Sequence, residues 1–250
     1  MKRNPTILDI SPLNKQGERL RAKTRTVDDT EFIFDHLEEL IRVTVPPPPR
    51  GKDYRLDRPP QGNLMQSKSK ERRLEAALYK KFQAPSEGFL KGIAKISSVQ
   101  VPLFYAQIKD QWGAIDALGV DDQTGYPVVI ELKINKDSIE PLLRAVVEAL
   151  TYMIALRKTW EGFGPSWNKH TGQDLPPPKK LTAVVLAPQG YWKKVHDQKD
   201  FYFAALSPLT ALTKKLADLD YHVRFASIDA TDSPDGKEWN IAGSAMEVKF

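Results

Sequence analysis

The chain has 250 residues, of which 41% are hydrophobic and 28% are charged, and its formal net charge at pH 7 is +5. This length and balance suit a soluble globular protein of one large domain, or of a domain with an appendage. The positive charge is compatible with an anionic partner such as nucleic acid without requiring one. Because the sequence contains no cysteine, disulfide frameworks, thiolate zinc sites and cysteine nucleophiles are excluded.

Residues 1–66 are predicted to form an N-terminal extension with one helix and a proline-rich linker or surface arm. The segment VDDTEFIFDHLEELIRV has the apolar spacing of a helix, and Pro46–Pro49 must end it. The basic run RLRAKTR before it is either a solvated surface or an arm that contacts DNA. The chain start lacks the apolar run of a signal peptide, and no stretch approaches the roughly 18 apolar residues of a membrane span. We therefore expect a cytoplasmic protein without membrane contact.

Residues 67–230 carry the pattern of a compact α/β domain, and residues 231–250 are a tail that could add an edge strand. SKSKERRLEAALYKKF predicts a helix capped at Ser67 or Ser69. VQVPLFYAQI, WGAIDALGV and YPVVIELKIN then predict three successive strands, and the turn DDQTG joins the last two. A long helix follows in DSIEPLLRAVVEALTYMIALRK. This order predicts a mixed β-sheet flanked by α-helices.

The second half of the domain predicts a loop, a strand, a helix and a strand. The loop is TWEGFGPSWNKHTGQDLPPPKK, whose aromatic and cationic side chains either stack nucleobases or simply cover the sheet edge. LTAVVLA is too short and too β-branched for a helix and predicts a buried strand. SPLTALTKKLADL predicts a helix with a serine cap, and YHVRFASI alternates like a final strand.

Charged residues interrupt the two most apolar neighbouring strands. Glu131 and Lys133 lie within YPVVIELKIN, where an unpaired buried charge would be strongly unfavourable, and Asp116 lies within AIDALGV. Asp116 and Glu131 are symmetric about the turn, so a loop of two or four residues without a net bulge makes them cross-strand neighbours. Lys133 then shares their face, because strand side chains alternate. A bulge at Gly125 would shift this register by one residue.

Such a cluster predicts a metal site that acts on phosphate esters. Two carboxylates in a poorly solvated place repel each other unless a cation lies between them, and oxygen ligands with room for water suit Mg²⁺ or Mn²⁺. Lys133 would orient the attacking water or stabilise charge on the phosphoryl oxygens. For Glu131 and Lys133 the alternative is a cross-strand ion pair on a solvent-facing sheet surface. For Asp116 alone the alternative is a capped or hydrogen-bonded acid in the core.

The combination AIDALGV…VVIELKI resembles the signature of the PD-(D/E)xK nuclease superfamily, which includes many restriction endonucleases and archaeal Holliday-junction resolvases. Asp116 matches the signature aspartate, and residues 131–133 match the (D/E)xK element, whereas Ile115 replaces the signature proline. The resemblance implies a restriction-endonuclease-like fold whose core, a helix, a three-stranded meander, a helix and a strand, would cover about residues 67–187. It also implies Mg²⁺-dependent hydrolysis of DNA phosphodiester bonds.

The resemblance further implies which residues form the site. The metal ligands would be Asp116, Glu131 and the carbonyl oxygen of Leu132. The family often adds an acid from the first helix, for which Glu71, slightly preferred, and Glu75 are both candidates. The candidate catalytic residues are therefore Asp116, Glu131, Lys133, Glu71, Glu75 and Glu148.

Glu148 occupies the place where many members of the family carry a water-positioning glutamine, and Tyr152 matches a frequent tyrosine. The replacement favours an alternative function, a catalytically inactive module of this fold that binds nucleic acid or protein. The residues do not distinguish cleavage of DNA from cleavage of RNA. A homodimer would allow both strands to be cut, but no part of the sequence indicates an interface.

Overall fold

Helices and strands alternate along the part of the chain that the computed structural model describes. That part comprises residues 33–38, 41–42, 54, 56, 69–83, 88–103, 114–134, 142–197, 199–233 and 238–248, without the side chains of 199–208. In chain order the elements are α1 (Lys70–Phe82), β1 (Ile93–Pro102), β2 (Ala114–Asp121), β3 (Pro127–Leu132), α2 (Leu142–Lys158), α3 (Trp160–Thr171), β4 (Leu181–Pro188), α4 (Gln189–Asp197), α5 (Lys199–Asp218), β5 (Tyr221–Asp232) and β6 (Trp239–Glu247).

The strands form one six-stranded sheet whose spatial order equals the chain order, β1 to β6. The first three strands are an antiparallel meander, β3, β4 and β5 are parallel to one another, and β6 returns antiparallel at the edge. Parallel neighbours need long crossover connections, which α2 with α3 and α4 with α5 supply. The prediction of a mixed α/β architecture, with helices flanking a mixed sheet, is confirmed.

Strand β3 lies between two hydrophobic clusters, and every one of its residues is buried. Val129 faces the cluster that contains residues of α2 and α3. Ile130 and Leu132 face the cluster that contains Leu74 and Phe82 of α1. Because both faces of β3 are covered, any charged group on this strand must find its partners within the protein.

The turn between β2 and β3 keeps the predicted register. Residues pair from Val120 with Pro127 to Ala117 with Ile130, so every pair has the same midpoint. The intervening loop, residues 122–125, has four residues, and Gly125 adopts a left-handed φ of 73° without shifting the pairing. The Asp121 carboxylate accepts the backbone N–H groups of residues 123 and 124. The next pair in this register is Asp116 with Glu131.

The segment after α2 is a helix and not the predicted loop. Its glycines and Pro165 are typical of loops, but Trp160, Phe163 and Trp167 recur at helical spacing and bury one face of α3, while Gly172 ends the helix at a left-handed φ of 71°. The three aromatic side chains are at most 4% exposed. They therefore pack in the core, and the interpretation of this segment as a base-stacking loop is wrong.

Other element boundaries differ from the prediction in smaller ways. Helix α5 begins at Lys199, so Ser207 lies inside it and does not cap it. Strand β1 begins at Ile93, earlier than the predicted strand at 99–108, of which residues 104–108 lie outside the described part. Strand β5 contains YHVRFASI as predicted, and β6 follows it within the C-terminal residues. Ser69 caps α1, as one of the two predicted candidates.

The described residues of the first 66 pack onto the domain. Residues 33–38 and 41–42 are helical, within the predicted N-terminal helix, and Ile33 and Leu37 are buried in the same cluster as α2. Tyr54 and Leu56 are buried there too, so at these two positions the prediction of a linker or surface arm is wrong. The runs RLRAKTR and PPPP lie outside the described residues. In the described part of the chain, no helix has both the length and the apolarity needed to cross a membrane.

Candidate metal and phosphate site

Asp116 and Leu132 connect the ends of β2 and β3. The backbone pairing ends at Ala117 and Ile130, and beyond it the Asp116 Oδ2 atom accepts the Leu132 backbone N–H at 2.9 Å. The aspartate side chain thus continues the ladder where the two strands separate. Asp116 is half-buried, which leaves its carboxylate at the border between the core and solvent.

Lys133 lies between two carboxylates in the interior. Its Nζ atom is 2.8 Å from Glu131 Oε1 and 2.6 Å from Glu148 Oε2. These three residues are 4–5% exposed, so the alternative of an ion pair on a solvent-facing sheet is wrong. Helix α2 supplies Glu148 and, one turn earlier, Arg144, whose Nη2 atom lies 3.3 Å from Glu148 Oε1. The network joins two cations to two acids at the ends of β3 and α2.

The pKa values of these acids diverge because their charged neighbours and hydrogen bonds differ. Burial, followed by the charge of Asp116, raises the pKa of Glu131 well above its ordinary range. Burial also raises the pKa of Asp116 to about 7, which the nearby Lys133 only partly opposes. For Glu148 burial acts in the same direction, but the charge of Lys133, a hydrogen bond with Glu131 and the charge of Arg144 together outweigh it and lower the pKa below the ordinary value. Glu148 is therefore the ionised partner of Lys133.

Helix α1 brings both candidate acids toward Asp116. Glu75 is 1% exposed, and burial together with the charge of Asp116 raises its pKa to about 8. Its Oε2 atom is buried without a hydrogen-bond partner in the described part of the chain. Glu71 is half-buried, and its charge adds to the pKa rise of both Asp116 and Glu75. Between the two candidates, Glu75 is the one enclosed in the protein.

Two further side chains support the acids and were missed in the sequence. Gln100 hydrogen-bonds to Glu75 from β1, at a backbone φ of 50° that non-glycine residues seldom adopt. Arg144 pairs with Glu148 at the i, i+4 spacing of a helix, so the sequence spacing alone could have predicted this pair. Gln100 had no such signal, because its contact depends on how α1 crosses the sheet.

Tyr152 connects helix α2 to the start of β2. Its hydroxyl donates to the backbone oxygen of Ala114 at 2.9 Å. Burial, followed by the charges of Glu131 and Asp116, raises its pKa well above the ordinary value, so the phenol stays neutral. Tyr152 thus fixes the position of α2, and with it Glu148, relative to the strand that carries Asp116.

The donor chemistry of the cluster fits a hard divalent cation. Carboxylate oxygens from Asp116, Glu131 and Glu75 are the ligand type that Mg²⁺ and Mn²⁺ prefer. Among the described residues, the buried Oε2 atom of Glu75 has no hydrogen-bond partner. Across the described residues, however, no three acidic or histidine side chains already form a group that could hold a metal ion. Glu131 is engaged by Lys133 and Asp116 by Leu132, so metal binding requires these carboxylates to reorient.

The chain was compared with protein-family models, with curated proteins and with solved structures, and nothing matched in any of the three comparisons.

Proposed function

We propose that this chain is a metal-dependent nuclease with a restriction-endonuclease-like fold, which hydrolyses DNA phosphodiester bonds. The observation that carries the proposal is that Asp116, bound to the Leu132 backbone N–H, lies close enough to Glu131 and Lys133 for their charges to act on one another, at the ends of two paired strands. Buried charges are unfavourable unless a partner or a function retains them, and acids with raised pKa values concentrate at functional sites.

The order of elements supports the same reading. The resemblance to PD-(D/E)xK nucleases implies a helix, a three-stranded meander, a helix and a strand, and the chain has α1, then antiparallel β1–β3, then α2 and β4 beside β3. The candidate acids come from α1, β2, β3 and α2, each near the same end of the meander. Architecture alone hosts many activities, so this agreement supports the fold and the residues must support the chemistry.

The proposed cofactor is Mg²⁺ or Mn²⁺, held by Asp116, Glu131, the Leu132 carbonyl oxygen and a helix acid, for which Glu75 is the better candidate. When bound, such an ion neutralises phosphoryl charge and makes a water molecule more acidic. Glu75 and Asp116 must lose their protons before they can bind the ion. Because their pKa values are raised to about 8 and about 7, metal binding should strengthen as the pH rises toward about 8.

Lys133 supplies the positive charge that the reacting phosphate needs. Its ammonium group is held by Glu131 and Glu148, and Arg144 holds Glu148 in turn. An ammonium fixed in a poorly solvated site needs little rearrangement to stabilise negative charge that develops on phosphoryl oxygens, or to orient the attacking water. Glu148 acts here as a positioning residue, in the place where the family often has glutamine.

A nuclease-fold module without catalytic activity is the second candidate. The observation that favours it is that Lys133 Nζ already contacts the carboxyl groups of both Glu131 and Glu148, so protein groups occupy the lysine. Calorimetric titration with Mn²⁺ separates the two candidates, because a module of this kind need not bind metal at Asp116 and Glu131.

Cleavage of DNA by the purified full chain tests the proposal. We expect cleavage of plasmid DNA with Mg²⁺, none with EDTA, and a loss of at least about 100-fold in rate for Lys133→Ala. Lys193→Ala is the matched control, because Lys193 is an exposed lysine on α4. Undiminished cleavage by Lys133→Ala would rule out the proposed role of this lysine. Cleavage that does not depend on Mg²⁺ would rule out the proposed metal requirement.

A further inference from the structure

A basic pocket lies between helix α1 and edge strand β6, away from the candidate metal site. Its volume is about 310 Å³, and its walls include Arg73, Lys80, Lys81 and Trp239. This volume is near the lower end of the roughly 300–1,000 Å³ typical of small-ligand sites. The pocket is therefore large enough for one small ligand or for one unit of a polymer.

The pocket and the metal site use different sides of α1. Arg73, Ala77, Lys80 and Lys81 follow the i, i+4, i+7 and i+8 spacing of a single helix face. Glu71 and Glu75 each lie two residues away from Arg73, which corresponds to about 200° around the helix. They are therefore on the opposite side of α1 from the pocket residues. The helix thus separates an acidic face, directed at Asp116, from a basic face directed at β6.

The pocket combines positive charge with an aromatic wall. Three cations line it against one acid, Glu238, so the surroundings favour an anion. Lys81 donates to the Ile241 backbone oxygen at 2.5 Å, which fixes its ammonium group at the pocket wall. Lys80 also lines the pocket and is exposed to solvent, so its ammonium group is accessible to a ligand there.

Trp239 is held in place before any ligand arrives. Its Nε1 atom donates to the Lys70 backbone oxygen at 2.9 Å, and the Lys70 ammonium pairs with Asp232 at 2.9 Å. The indole is half-exposed and lines the pocket. A fixed, accessible aromatic ring next to cations is the arrangement that stacks a nucleobase while the cations contact phosphate.

We propose that this pocket binds one nucleotide unit of a single-stranded nucleic acid, with its base on Trp239 and its phosphate near Lys80 and Lys81. The inference rests on the proposed function only for the choice of a nucleic-acid strand as ligand. The pocket would hold the nucleic-acid strand on the opposite side of α1 from the proposed cleavage site. This contact needs no metal ion.

Anisotropy of a labelled twelve-residue oligothymidylate, measured in EDTA with the full chain, tests the pocket without any cleavage. We expect Lys80→Glu to weaken binding by about tenfold and to reduce the slope of log affinity against log salt concentration by about one phosphate contact. Lys214→Glu, an equal charge change at an exposed lysine of α5, should have little effect. Trp239→Leu should also weaken binding by about tenfold, and Trp239→Phe, which keeps a ring, by less.

Three results would overturn the inference. The first is wild-type affinity in both Lys80→Glu and Trp239→Leu, and the second is equal loss in Lys80→Glu and Lys214→Glu. The third is thymidine monophosphate binding as tightly as the oligonucleotide, which would make the pocket a site for free nucleotides. Binding is measured in EDTA and therefore does not depend on cleavage. If the pocket binds DNA but the chain does not cleave it, the proposed nuclease activity is wrong and the proposed nucleotide pocket is not.

Discussion

The Asp116 carboxylate accepts the Leu132 backbone N–H at 2.9 Å, just beyond the last backbone pair of β2 and β3. One oxygen of the aspartate therefore holds the strand ends together, and its charge belongs to the candidate site. The structural and chemical roles of Asp116 can be separated, because an amide keeps an oxygen acceptor and a methyl group does not.

Asp116→Asn should abolish cleavage while it keeps the fold. The amide oxygen can still accept the Leu132 N–H, whereas Asp116→Ala leaves that donor without its partner. We expect the free energy of unfolding to fall by about 1–2 kcal/mol in Asp116→Ala and to change little in Asp116→Asn. Urea denaturation and the plasmid assay measure the two effects. Equal destabilisation of both variants would show that the hydrogen bond does not hold the strand ends.

Glu148→Gln should destabilise the protein more than Arg144→Ala. The first change removes an ionised acid that contacts Lys133 at 2.6 Å in the interior, and the second removes a partly exposed cation at 3.3 Å. We expect losses in the free energy of unfolding of about 1–3 kcal/mol for Glu148→Gln and under about 1 kcal/mol for Arg144→Ala. A larger loss for Arg144→Ala than for Glu148→Gln in urea denaturation at neutral pH would contradict this order.

Cleavage should fall less in Glu148→Gln than in Lys133→Ala, because the amide oxygen of the glutamine still accepts a hydrogen bond from Lys133 Nζ.

The free energy of unfolding without divalent ions should fall as the pH rises from about 4.5 to about 8. Glu75 and Asp116 have raised pKa values, about 8 and about 7, so the folded protein retains protons that the unfolded chain releases in this range. Glu75→Gln cannot ionise and should be more stable than the parent near pH 8, but similar to it near pH 4.5. Urea denaturation in EDTA at both pH values measures this, with the exposed Glu161→Gln as control. A pH dependence that is the same with and without Glu75 would contradict its assignment as a buried, protonated acid.

Trp167→Ala should cost about 3–5 kcal/mol of unfolding free energy. The Trp167 side chain is fully buried, stacks on Phe163 at 5.9 Å and donates to the Gly125 backbone oxygen at 2.9 Å. Lys169→Ala, an exposed change on the same helix, should cost little. A folded Trp167→Ala of normal stability that binds DNA weakly would instead place this tryptophan at a nucleic-acid surface.

The sequence was most informative where local rules determine the structure. The positions of Asp116 and Glu131 about the turn predict their register, because a four-residue loop without a bulge leaves one pairing. The apolar neighbours of Glu131 predict its burial, since a strand covered on both faces is apolar almost throughout. These rules involve residues close in the chain and need no knowledge of distant segments.

The rest depends on tertiary packing. Helix α3 carries Gly164 and Pro165, so local propensity favours a loop, and the helix forms because its aromatic face is buried. Tyr54 is near prolines typical of a linker, yet the core has room for its ring against Phe163 at 5.1 Å. Gln100 reaches Glu75 because α1 crosses β1, and no pattern in one strand specifies that crossing.

Anomalous diffraction from crystals soaked in Mn²⁺ shows whether the acids near Lys133 hold a divalent ion, because it locates the ion independently of any activity. We expect an anomalous peak within coordination distance of the Asp116 and Glu131 carboxylates, and no such peak in Asp116→Asn crystals treated alike. Crystals in which manganese binds elsewhere, or in which the Lys133 ion pairs with Glu131 and Glu148 persist and no ion enters, would contradict it.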